Sequence, residues 1–113
     1  MVVFWFSQVP MHDELKSIVQ EAYLLQLMDH PNVIRLRDTI ICQGQLLLVM
    51  EYADCGSLKE LALPTVALRE RIAMHVLIQI SMALDYLHSN LIAHRDIKPD
   101  NIVLGSNGIF KVR

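Results

Sequence analysis

Residues 94 to 101, His94-Arg95-Asp96-Ile97-Lys98-Pro99-Asp100-Asn101, set a carboxylate, an ammonium group and a carboxamide close together at fixed offsets. A carboxylate can take a proton from a hydroxyl, and a cation and a carboxamide beside it can steady negative charge, which suits a reaction that asks a protein for little covalent chemistry and much positioning of charge. A short rigid loop can supply that. Pro99 lacks a backbone N–H and fixes its own φ, so it biases Lys98 toward extended geometry and stiffens the segment. Each residue alone is as well explained by a polar turn after an amphipathic helix. The set is not, because six specified identities at average usages of about 5% each coincide by chance on the order of 10⁻⁶ in a chain of this size.

The elements that must hold this loop can be read from periodicity. From Asp13 to Met28, the apolar residues Leu15, Ile18, Val19, Ala22 and Leu25 recur at three and four positions, which predicts an amphipathic helix stopped by His30-Pro31-Asn32. Val33 to Ile40 and Gln45 to Glu51 read as strands joined at the turn Cys42-Gln-Gly-Gln45. Ser57-Leu-Lys-Glu60 has the form of a capping box and predicts a short helix that Pro64 ends. A longer helix follows from about Ala67 to His88, with an apolar stripe of Ala73, Val76, Leu77, Ile80, Leu84 and Leu87 that calls for a large partner surface. It delivers the chain to residues 94 to 101. Beyond them, Ile102 to Leu104 and Ile109 to Val112 flank Gly105-Ser-Asn-Gly108, a second hairpin signal.

Composition narrows the function classes. At 113 residues and 53% hydrophobic content the chain suits one small domain rather than two. Ten Lys and Arg against twelve Asp and Glu, a net charge of −2, give no basic stripe for nucleic acid and no polybasic patch for a membrane surface. Cys42 and Cys55 form neither a CxxC pair nor a secreted disulfide framework, so reduced thiols in a cytoplasmic or nuclear compartment are expected. The histidines at 12, 30, 75, 88 and 94 are too scattered for a metal site. Met1-Val-Val-Phe-Trp-Phe6 is too short and lacks the basic lead-in of an export signal, and no window approaches the roughly 18 apolar residues of a membrane helix.

The segment 94 to 101 resembles the catalytic loop of the eukaryotic protein kinases, whose signature is His-Arg-Asp-x-x-x-x-Asn. The resemblance implies that Asp96 accepts the proton of the substrate hydroxyl and that Asn101 holds magnesium against the nucleotide phosphates. It also implies that Lys98 lies near the transferred phosphoryl, as in the serine/threonine kinases. Glu21-x-x-Leu-Leu-x-x-x-x-His30-Pro-Asn is similar to the end of the small-lobe helix known in that family as αC, which makes Glu21 the glutamate of the structural ion pair with a strand lysine. Leu47 to Leu58 resembles the run through the family's hinge. By that likeness Met50 is the gatekeeper, Glu51 to Ala53 is the backbone that meets the adenine edge of ATP, and Val103 packs beneath the ring.

The implied fold is α+β, a protein kinase-like two-lobe fold truncated at both ends. Residues 1–11 form a segment without motifs and 12–113 a partial kinase domain, divided as 12–50 small lobe, 51–56 hinge and 57–113 the start of the large lobe. The implied activity is ATP- and Mg-dependent phosphoryl transfer to Ser or Thr hydroxyls of a protein substrate, with a further kinase-domain or regulatory protein as partner. The four glycines, at 44, 56, 105 and 108, do not form Gly-x-Gly-x-x-Gly, and neither a Val-Ala-Ile-Lys strand nor Asp-Phe-Gly is present. The chain by itself is therefore expected to be inactive, and to bind Mg-ATP weakly or not at all. The alternative readings are a noncatalytic kinase-like module that binds a protein, and an incomplete gene model whose atypical start marks a mispredicted boundary.

Overall fold

A computed structural model describes residues 2–6, 12–43, 45–61 and 65–113. The chain divides into two compact units, one made of residues 1–29 and 35–52 and the other of 30–34 and 53–113.

The first unit holds strand β1 (Val2–Phe6), helix α1 (His12–Gln26) and strands β2 (Leu36–Cys42) and β3 (Gln45–Met50). The sheet order is β1-β3-β2, antiparallel throughout. β1 was not expected; its five residues, apolar and rich in valine and aromatics, run alongside β3 from Val2 opposite Met50 to Phe6 opposite Leu46. Periodicity cannot find such a strand, because a short continuous apolar run has no alternation to read. Leu36 and Leu46 are buried in this unit together with Ala22 and Met28. Ile18 and Leu25 are half-buried as the helical stripe predicts, whereas Val19 is exposed.

The pairing of β2 with β3 shifts register between Leu36 and Asp38, and the Arg37 carbonyl at this bulge accepts a hydrogen bond from Gln26 Nε2 of α1 at 3.2 Å. At the far end, the Glu51 N–H donates to the Arg35 carbonyl, and Glu51 Oε1 accepts from the Arg35 N–H, each at 2.9 Å. The strand predicted from Val33 therefore begins three residues late. Val33 and Ile34 are instead in the second unit, where Val33 bridges to Val112 in parallel and the Ile34 N–H donates to the Val112 carbonyl at 2.8 Å.

The second unit is built on helix α2 (Val66–Ser89) and the hairpin of β4 (Ile102–Leu104) and β5 (Phe110–Val112). Thr65 caps α2 by accepting from the Leu68 N–H at 3.1 Å. The helix buries Val76, Ile80, Ala83 and Leu87, and packs against β5, where Phe110 and Val112 are buried. Of the stripe read from sequence, Val76, Ile80 and Leu87 are buried and Leu84 is half-buried, whereas Ala73 is exposed and Leu77 is 62% exposed; Ala83, outside that stripe, lies fully inside.

Gly108, at φ +78°, closes the β4–β5 turn with its N–H on the Gly105 carbonyl at 3.0 Å. Residues 55 to 57 run beside β4, with the Cys55 N–H on the Leu104 carbonyl at 3.0 Å and the Leu104 N–H on the Gly56 carbonyl at 2.9 Å. The predicted short helix is a single 3-10 turn, Leu58–Glu60, in which Glu60 Oε2 accepts from the Ser57 N–H at 3.4 Å. The stop expected at Pro64 lies outside the described residues. No helix among the described residues is long and apolar enough to cross a membrane.

Candidate functional site

The loop from His94 to Asn101 follows α2 and leads directly into β4, so two rigid elements fix its ends. Within it the Asn101 carboxamide nitrogen donates to the Asp96 carbonyl at 3.0 Å and to Asp96 Oδ2 at 2.9 Å. Lys98 Nζ lies 3.6 Å from the same Oδ2. Asp96, Lys98 and Asn101, singled out by the family resemblance, are therefore brought together in one cluster. The Asp96 and Lys98 side chains are 63% and 49% exposed, so their attraction contributes little to stability and leaves the carboxylate open to an incoming group.

Five hydrogen bonds and one ion pair hold the frame. Pro99 opens a 3-10 turn, Pro99–Asn101, and the Asn101 N–H donates to the Lys98 carbonyl at 2.9 Å. His94 Nδ1 accepts from the Asp96 N–H at 3.1 Å, which makes Nε2 the protonated nitrogen, and Nε2 donates to the Arg113 carbonyl at 2.8 Å. Arg113 also donates its backbone N–H to the Asn101 carbonyl at 2.8 Å and its guanidinium to the Asp100 carbonyl at 2.7 Å. Lys59 Nζ is 3.5 Å from Asp100. Sequence reasoning did not find the parts of Arg113 and Lys59, which are separated from the loop in sequence and carry no motif. Nor did it find the backbone of Arg95, at φ +70° immediately before Asp96, a conformation uncommon for a long side chain and typical of residues held by their surroundings.

The protein kinase domain model matches residues 6–113. The chain belongs to the protein kinase family. It is 34% identical over 106 residues to CBL-interacting protein kinase 9 of Oryza sativa subsp. japonica, covering 94% of this chain and 23% of that protein. It is 35% identical over 100 residues to the probable serine/threonine-protein kinase MARK-C of Dictyostelium discoideum, covering 86% and 13%. Mitosis inducer protein kinase cdr2 of Schizosaccharomyces pombe is 40% identical over 92 residues, covering 81% and 12%. Across these relatives and the others of similar score, the chain spans between 9% and 23% of their length. Membership agrees with the serine/threonine character read from Lys98 and with the mixed α and β elements of the fold.

The other residues of this kinase segment are placed as follows. Glu21 lies on α1, exposed, and no ion pair to it is found among the described residues. β1, the strand hydrogen-bonded to β3, reads Val-Val-Phe-Trp-Phe and carries no lysine. Met50 and Glu51 are half-buried in the first unit. In the second, Ala53 is half-buried and its carbonyl accepts from the Gly56 N–H at 3.4 Å, while Val103 is 3% exposed and bridges to Ser57.

Kinases as a family use ATP and magnesium. With its nitrogen bonded to Asp96, Asn101 can offer a cation its carboxamide oxygen. One neutral oxygen falls well short of magnesium's six ligands, and no group of three or more His, Cys, Asp or Glu able to hold a metal occurs among the described residues. The residues present do not by themselves fit the ion.

Proposed function

We propose that this kinase segment serves transfer of the γ-phosphate of ATP to the hydroxyl of a Ser or Thr in a protein substrate. The observation that supports it is the convergence of Lys98 and Asn101 on the exposed carboxylate of Asp96. As the hydroxyl oxygen bonds to the γ-phosphorus, the bond to the β-γ bridging oxygen breaks and ADP leaves. The hydroxyl proton passes to Asp96. Asn101 fixes the carboxylate's orientation by bonding one of its oxygens, and Lys98 offers a positive charge where negative charge is carried toward the substrate.

For the nucleotide, the proposal assigns adenine contacts to the backbone from Glu51 to Ala53, and keeps for Met50 the gatekeeper role and for Val103 the ring-packing role that the family resemblance implies. Asn101 gives one magnesium ligand. Glu21 takes the structural ion pair where a strand lysine is supplied. The compartment proposed is cytoplasmic or nuclear, in keeping with free, exposed Cys42 and Cys55. The noncatalytic alternative draws support from β1, which runs along β3 without a lysine for Glu21.

Asp96→Asn tests the assignment in two settings. In a protein where this segment is joined to a glycine-rich loop, a strand lysine and Asp-Phe-Gly, the substitution should lower Ser/Thr phosphorylation by roughly 10²-fold or more. Undiminished activity would remove Asp96 from its role. In the 113-residue chain alone no transfer from labelled ATP is expected, and transfer abolished by Asp96→Asn would show that the chain is catalytic by itself.

A further inference from the structure

We propose that two copies of this chain associate by antiparallel pairing of α2, about a two-fold axis beside Ile78. On α2 the buried face is Val76, Ile80, Ala83 and Leu87. Met74, Ile78 and Met82 follow one another at intervals of four residues on a different side of the helix and are 59%, 54% and 53% exposed. Three large apolar side chains in an unbroken row, open to water, are the kind of patch that a partner surface covers.

The charges at the two ends of the row select the partner. Arg71 lies seven residues before Ile78 (78 − 71) and Asp85 seven after it (85 − 78), about 10 Å either way along the axis and on nearly the same face. Both are exposed, and neither makes a salt bridge among the described residues. The Asp85 carbonyl accepts from Ser89 Oγ, which leaves the carboxylate outside that bond. In an antiparallel pair Ile78 meets Ile78, Met74 meets Met82, and Arg71 meets Asp85 at both ends. A parallel pair would set arginine against arginine and aspartate against aspartate. The face is therefore complementary to itself in one orientation only, the condition for a closed two-fold contact.

The test is sedimentation equilibrium of the full 113-residue chain at low salt, over concentrations reaching the high micromolar range. A reversible monomer–dimer equilibrium is expected, weakening as ionic strength rises. Ile78→Lys places two like charges on the axis and should weaken the dimer at least about tenfold. Arg71→Glu and Asp85→Arg should each weaken it by a similar factor, and the two together should restore it. Circular dichroism of each variant, with helix content unchanged, separates loss of pairing from loss of fold. A chain that stays monomeric throughout overturns the proposal, as does a dimer indifferent to Ile78→Lys or a double charge reversal no stronger than the single ones. Binding of an unrelated protein to this face, with the chain itself monomeric, overturns it equally.

Discussion

Gln79 of α2 and Asn32 of the turn after α1 are joined by a 3.0 Å hydrogen bond from Asn32 Nδ2 to Gln79 Oε1. The same oxygen accepts from the Phe110 N–H at 2.7 Å, and Asn32 Nδ2 also donates to the Phe110 carbonyl at 2.8 Å. Asn32 is 5% exposed and its own carbonyl accepts from the Val112 N–H at 2.8 Å. Two side chains distant in sequence thus satisfy β5 at Phe110, while the backbone of Asn32 to Ile34 meets the same strand at Val112. His30 adds a tilted ring contact with Tyr86, centroids 4.9 Å apart.

Removing either member leaves buried donors or acceptors unpaired. Asn32→Ala and Gln79→Leu should each destabilise the chain by about 2–3 kcal/mol, and the double variant by less than the sum, since both act on one network. Urea denaturation followed by circular dichroism measures this. Additive losses would show that the network is not shared.

Leu91 should be improved by the smallest side chain. It sits at φ +62° and is 95% exposed, in the position after the cap of α2, with its N–H on the His88 carbonyl and the Ile92 N–H on the Leu87 carbonyl. That is a Schellman ending, which glycine favours. Leu91→Gly should stabilise by about 1 kcal/mol, because a side chain strains this conformation and Leu91 buries almost nothing in return. A higher melting temperature is the expected readout, and a lower one would mean that the gain in unfolded-chain entropy dominates.

Ala83 is fully buried and its neighbour Met82 is 53% exposed. Ala83→Leu should overpack the core around α2 and destabilise by about 1–3 kcal/mol. Met82→Leu should lie within about 0.5 kcal/mol of the parent. Equal effects at the two positions would contradict the assigned rotation of the helix.

Nucleotide affinity should be weak. Calorimetric titration of the 113-residue chain with Mg-ATP is expected to give a dissociation constant well above the low-micromolar range, because β1 carries no lysine for the phosphates. Low-micromolar binding would require a phosphate site elsewhere in the chain.

The sequence by itself determined the family and most of the elements. Asp96, Lys98 and Asn101 lie within one rigid loop, so their spacing alone largely fixes that they meet. α1, α2 and the two hairpins follow from period and turn residues, which are local properties of the chain. Tertiary structure decided what depends on distant neighbours. Val33 and Ile34 have strand-forming side chains, yet leave β2 because Val112 offers them a hydrogen-bonding partner. Which residues of α2 turn inward was likewise settled by packing: Ala83 is fully buried while the larger Leu77 stays exposed. β1 became a strand because β3 had an open edge, and Arg113 became part of the loop's frame only because β5 carries it back beside His94. Hydrogen-bond partners across tens of residues leave no period in a sequence, and for that reason they had to be seen in three dimensions.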